Sequence, residues 1–174
     1  MTEAGDNTRI DGFPIRLRPV KSADRDQLFA WRNDPWLISF STSGKTVEKQ
    51  DHADWFGSVL NESDCVLYII LTERDTPSGA IRFDRLNDSS AMTSVFLSRE
   101  YTGKGYGELA LRDGCQMVFQ EWQIKEISGV IKNQNTASIS AFLKAGFSSM
   151  PADSSTPPEH SLFVLNRTFG HRFD

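Results

Sequence analysis

The residues best suited to chemistry in this chain are Tyr101-Thr102-Gly103-Lys104-Gly105-Tyr106-Gly107. Alternating glycines leave the amide N–H groups of such a loop uncovered. An apolar, β-leaning run, Met92 to Leu97, precedes it, and a helical pattern follows as far as about Trp122. Strand, glycine loop and helix in that order make an anion site: the first N–H groups of the helix have no partner within it, and its dipole is positive there. A phosphate or pyrophosphate is the natural ligand. Two phosphate motifs are excluded by count. The dinucleotide fingerprint needs glycine at the first, third and sixth positions, and the sixth from Gly103 is Glu108. The nucleotide P-loop needs a glycine five residues before its Gly-Lys-Thr; for Gly44-Lys45-Thr46 that position is Ser39.

With those motifs set aside, the loop resembles the pyrophosphate loop of the GNAT superfamily of acyl-CoA-dependent N-acyltransferases, in which Gln/Arg-x-x-Gly-x-Gly/Ala follows the fourth strand. Thr102 holds the Gln/Arg slot, a departure from the pattern. A second segment, Asn135-Thr136-Ala137-Ser138 through Phe142 to Gly146-Phe147, resembles the downstream family signature and stands at the usual separation. The resemblance runs from Ile15 to Phe169. It implies a single-domain α/β (α+β) fold: a mixed, mostly antiparallel sheet with flanking helices, in the order βααβββαβαββ. It also implies acetyl-CoA as co-substrate and no metal. Thr102, Gly103, Lys104, Gly105, Tyr106 and Gly107 would hold the pyrophosphate. The edge Val95, Phe96 and Leu97 would pair with the pantetheine arm, provided the fourth strand bulges and splays from the fifth. Asn135, Ser138 and Phe142 complete the donor site. Asn135 also reads as an ordinary helix cap.

Acyl transfer to an amine also requires a neutral amine and a stabilised oxyanion. A backbone N–H near Leu97 suits the oxyanion. An alkylammonium with a pKa of about 10.4 needs a proton acceptor. Asp84, read as lying at the pocket end of the third strand, is the first candidate; Glu100 is second, His52 third, and a water chain the alternative. The family's leaving-group tyrosine falls at Phe142, which has no proton to give; Tyr101, Tyr106, Ser138 or water would have to substitute. The sequence Trp31-Arg32-Asn33-Asp34 resembles subgroups that acetylate amino-sugar nucleotides or protein N-termini. Hence the expected acceptor is a small amine such as an amino-sugar nucleotide, with a protein α-amine as the alternative. A closed aromatic pocket would favour the sugar, an open trough the peptide. Arg16, Arg18, Arg32 and Arg82 are candidates for a nucleotide diphosphate. A different class, a non-catalytic CoA-binding or protein-interaction module, is motivated by Thr102 and Phe142.

The elements that must position these groups follow from periodicity. Ile15 and Leu17 mark a first strand. A helix capped by Ser22 or Asp24 ends near Asn33-Asp34-Pro35. Trp36 to Lys45 reads as a loop, and Thr46 as the cap of the next helix. Cys65 to Leu71 is apolar enough to be covered on both faces. Ala80 to Leu86 puts Ile81 and Phe83 on one face and Ala80, Arg82 and Asp84 on the other. Strands at Glu126–Ile131, Phe147 onward and Ser161–Asn166 flank a helix that Gly146 ends. Residues 1–12 and 170–174 read as tails around a domain of 13–169. The 174 residues, 39% hydrophobic and 24% charged with net charge −4, suit one globular domain with no basic footprint for nucleic acid and no membrane span. Cys65 and Cys115 read as core thiols. A cytoplasmic monomer or homodimer is expected.

Overall fold

The computed structural model describes residues 14–168, so both expected tails lie outside the described residues. One seven-stranded sheet carries the fold, in the order β1-β2-β3-β4-β5-β7-β6. The strands are β1 (Ile15–Pro19), β2 (Cys65–Thr72), β3 (Pro77–Arg85), β4 (Ser90–Leu97), β5 (Glu126–Lys132), β6 (Ser148–Met150) and β7 (His160–Asn166). Among the described residues only the β4–β5 pair is parallel. The helices are α1 (Arg25–Arg32), α2 (Pro35–Phe40), α3 (Lys49–Asn61), α4 (Tyr106–Trp122) and α5 (Thr136–Lys144).

Alternation along the central strands sorts the core into two layers. Tyr68 and Ile70 of β2, with Ile81 and Phe83 of β3, meet Leu111, Cys115 and Val118 of α4. The opposite faces, Cys65, Leu67, Ile69 and Leu71 of β2 with Ala80 of β3, meet Leu28 and Trp31 of α1 and Phe56 and Val59 of α3. The near-continuous apolar run of β2 is thus explained by cover on both sides. Cys65 and Cys115 are both buried and free.

Three local expectations need correction. The stretch after Asn33 is not all loop: its first part is the short helix α2. The Asp34 carboxylate accepts from the amides of Trp36 (2.8 Å) and Leu37 (3.2 Å), and Pro35 occupies the first helical position. An Asp-Pro start of this kind is a helix signal in its own right. The order is therefore βαααβββαβαββ. Neither Ser22 nor Asp24 caps α1 through its side chain, because the Asp24 carboxylate is taken by Arg18 and the amide of Lys21. Helix α3 begins after Glu48, two residues past Thr46.

Candidate active site

β4 and β5 pair only over Ser90–Met92 and Glu126–Ser128. Beyond that they part, although β4 continues to Leu97 and β5 to Lys132. The parting needs no bulge on the β3 side: the β3–β4 register runs unbroken from Gly79–Leu97 to Arg85–Ala91. Ser98 N donates to Ser78 O at 2.8 Å. Strand alternation then turns the N–H groups of Leu97 and Val95 away from β3, toward the gap.

A cleft of about 890 Å3 enters this gap. One half is bordered by Thr93 to Leu97, Thr102, Gly103, Gly105, Tyr106, Gly107, Val130 to Lys132, Asn135, Ser138 and Phe142. The other half lies under α1, α2 and α3, between Trp31, Arg32, Trp36, Phe40, His52, Trp55, Arg82 and Phe96. At the end of the gap, Gly103 and Gly105 have φ of 73° and 80°, conformations that an L side chain resists. Gly105 precedes α4, and no side chain caps that helix. Its first N–H groups therefore open toward the cleft without a built-in acceptor. Lys104 points elsewhere. Its Nζ sits 5.3 Å from the centre of the Tyr101 ring, and it does not border the cleft. Tyr106 Oη donates to Glu73 at 3.0 Å, which tips its phenol toward the β2–β3 turn and raises its pKa after the larger effect of desolvation.

Across the gap, Asn135 Oδ1 accepts from Ser138 N at 3.1 Å and caps α5. Phe142 is 2% exposed and packs at a tilt against Phe147 and Phe163 in the core. Its ring lies across Gly129 so closely that a Cβ there would fall 2.3 Å from Phe142 Cε1. The position of the family's leaving-group tyrosine is thus a core aromatic that reaches the cleft wall.

The proton-acceptor candidates do not come together. Asp84 pairs with Met92, where β4 and β5 are still joined, and so sits at the end of β3 remote from Leu97. Five residues of strand separate the two ends, about 17 Å. Its carboxylate accepts from Arg82 Nε at 3.0 Å, and it does not border the cleft. The placement at the pocket end is thereby corrected: the short-range partner Arg82, two residues away on the same face, holds it. Glu100 is exposed in the turn Arg99–Tyr101 and is also outside the cleft wall. Among the described residues the one carboxylate in that wall is Glu108, 3.4 Å from Arg112 in the first turns of α4. His52, ranked third, is in the wall and 3% exposed. Burial, together with Arg25 and Arg32, holds its imidazole below the usual histidine range.

Of the four arginines, two face the cleft. Arg16 pairs with Asp75 at 3.0 Å and Arg18 with Asp24 at 2.8 Å, both away from it. Arg82 borders the cleft with its guanidinium 5.5 Å from the centre of the Trp55 ring. Arg32 donates to Lys45 O (3.0 Å) and Ser43 Oγ (2.9 Å). Its neighbour Asn33 holds Val47 by both amide groups, donating to its carbonyl at 3.0 Å and accepting from its N–H at 2.8 Å. Together they fasten the segment that follows α2. Lys132 Nζ donates to Ser39 O at 3.1 Å, so the end of β5 is tied to the end of α2. Sequence reasoning missed this tie and the fastening role of Asn33. Neither carries a sequence signal, since the partners lie 93 and 14 residues away.

Among the described residues, no group of three or more metal-ligating side chains occurs, and no helix is long and apolar enough to cross a membrane. A family model described as the acetyltransferase (GNAT) domain matches residues 15–148. No curated protein matches the chain. Solved structures do. The spermidine N-acetyltransferase of Vibrio cholerae, in complex with CoA and spermine, has a TM-score of 0.76 at 11% identity, covering 88% of this chain and 95% of that one. An aminoglycoside acetyltransferase in complex with coenzyme A has a TM-score of 0.75 at 20% identity, with 88% and 95% covered. The N-acetyltransferase PseH of Campylobacter jejuni has a TM-score of 0.65 at 11% identity, with 88% and 99% covered. At these identities the likeness is one of fold.

Proposed function

The chain belongs to the GNAT acetyltransferase family, and from that premise we propose that it moves an acetyl group from acetyl-CoA to a primary amine on a small acceptor, an amino sugar carried by a nucleotide being the first choice. The observation that carries this is the parting of β4 from β5 beyond Met92 and Ser128, with the glycine loop and the uncapped start of α4 at its end. A strand edge left open inside a sheet accepts an extended amide chain as it would another strand. The pantetheine arm has that form. Val95, Phe96 and Leu97 supply the edge, and the amides of Gly103, Gly105 and Gly107 take the pyrophosphate. The Leu97 N–H is placed to receive charge that develops on the thioester oxygen. Asn135, Ser138 and Phe142 close the other side.

The acceptor half supports an amine linked to an anion. Trp31, Trp36, Trp55 and Phe96 offer flat apolar surface, and Arg32 and Arg82 bring guanidinium groups to it, Arg82 alongside its partner Asp84 and Arg32 alongside Lys45 O and Ser43 Oγ. Spermine, the ligand of the Vibrio relative, is a polycation and would find no carboxylate in this half among the described residues. The tie between Lys132 and Ser39 joins β5 to α2 at the rim of the cleft and weighs against an open trough for a protein N-terminus. With Asp84 and Glu100 outside the wall, and the His52 imidazole made a weaker base by burial and by Arg25 and Arg32, the amine proton leaves through solvent in the cleft. A non-catalytic CoA-binding module is the second reading, favoured by the burial of Phe142 where a proton donor would stand.

Thermal denaturation with saturating acetyl-CoA, with ATP and NAD as controls, tests the donor site. A ligand at about 100 times its Kd stabilises the fold by about 2.7 kcal/mol, a rise of several degrees. Thiol release with a uridine-diphosphate-linked amino sugar, spermidine and a peptide then tests transfer. A folded protein that acetyl-CoA does not stabilise defeats the proposal. Stabilisation without thiol release from any amine favours the binding module.

A further inference from the structure

Lys132 borders the gap by its strand and crosses to the acceptor half by its side chain. Alternation explains the crossing. Ile127, Gly129 and Ile131 of β5 face the layer of α4 and α5, so Lys132 faces the side of α1 to α3. Its Nζ donates to Ser39 O in α2, and that bond is exposed to solvent. Arg32 donates to Ser43 Oγ and Lys45 O, again through exposed bonds. Two cations thus hold one roof segment. Their contacts at Ser39 and Ser43 are about 14 Å apart at full extension of the chain. A turn in which Gly44 N donates to Ser41 Oγ at 3.1 Å shortens that span. Neither cation has a carboxylate partner among the described residues, whereas Arg82 has Asp84. An ammonium has three donors and a guanidinium five, so each keeps donors that the roof does not use.

Granting that the cleft is an acetyl-transfer site, we infer that Lys132 determines acceptor specificity: with Arg32 it binds a phosphoryl group of the acceptor, Nζ donating to a phosphate oxygen beside its bond to Ser39 O. Accessible positive charge without a counter-charge attracts an anion and repels a polyamine. Arg82, its charge balanced by Asp84, is the lesser contributor. A phosphate held in this way bridges β5 and the end of α2, so the acceptor strengthens the roof under which it lies.

The full chain is first saturated with CoA, which fills the glycine loop, and then titrated with uridine diphosphate in a calorimeter. The unsubstituted protein should bind it. Lys132→Met keeps an unbranched apolar stem and removes the charge. It should weaken binding about tenfold or more, as expected for one charge-assisted hydrogen bond lost. Lys132→Arg should stay within about threefold of the unsubstituted protein. Added salt should weaken binding more steeply in the unsubstituted protein than in Lys132→Met, a difference that a lysine serving only to hold the roof would not produce. A CoA-saturated protein that binds no uridine diphosphate overturns the inference. So does a folded Lys132→Met chain that binds it as tightly as before, or one whose salt dependence matches that of the unsubstituted protein. A chain that acetyl-CoA stabilises and that releases thiol with an amine, yet binds no uridine diphosphate, keeps the acetyl transfer and loses the anion site. A chain that acetyl-CoA does not stabilise fails the earlier proposal itself.

Discussion

Asn33 fastens Val47, 14 positions further along the chain, through a donor and an acceptor on one short amide. Asn33→Ala leaves both backbone groups of Val47 without that partner in a half-buried place. It should lower stability by about 1–3 kcal/mol in urea unfolding, and Asn33→Asp, which keeps only the acceptor, should fall between. His52 carries a pH effect at the same scale. Its folded pKa lies below the unfolded value of about 6.5, so the unfolded chain binds the proton first. Stability is then complete above about pH 6.5 and is lost as pH falls from there through the folded pKa. Melting temperatures from pH 8 to pH 5 should show this decline, and His52→Phe should flatten it. The sequence shows the helical neighbours that bury His52, Trp55 and Phe56 at the third and fourth positions after it. It does not show that Phe29 of another helix closes the third side.

At the scale of elements, the ring of Phe142 brings α5 against β5. Phe142 lies on Gly129, so Gly129→Ala places a methyl where the ring now is. The expected loss is about 1–3 kcal/mol by denaturant unfolding, and Phe142→Leu in the same chain should recover part of it. A simple sum of the two separate losses would show that the ring and the strand are not coupled. Gly129 read in the sequence as a glycine within a strand, and nothing local says that a ring from α5 needs the space. The glycine loop, β4 and α4 were legible because their signals are local: positive-φ glycines, alternation and helical spacing. Helix α2 was legible in principle from Asp34-Pro35. The Arg82–Asp84 pair was also legible in principle, since alternation sets both on one face; the partners of Arg16 and Arg18 were not, since an unpaired charge and an ion-paired one are the same letter, and only the fold shows that Asp75 and Asp24 hold them.

At the scale of the whole molecule, three residue pairs join a four-strand half, β1 to β4, to a three-strand half, β5 to β7. Hydrogen bonds from Lys125 N to Ser89 O and from Ser128 Oγ to Ala91 O, interlayer packing and the Lys132–Ser39 tie add to the connection. Hydrogen exchange should find the amides of Val95 and Leu97 fast in the free protein and slowed when acetyl-CoA is added; amides equally slow in both states would mean that the edge is already satisfied. If they slow, the donor is in effect an eighth strand, held without a peptide bond. The durability of the folded chain would then follow the supply of acyl donor around it. A scarcity of that metabolite would shorten the life of the protein as well as idle it.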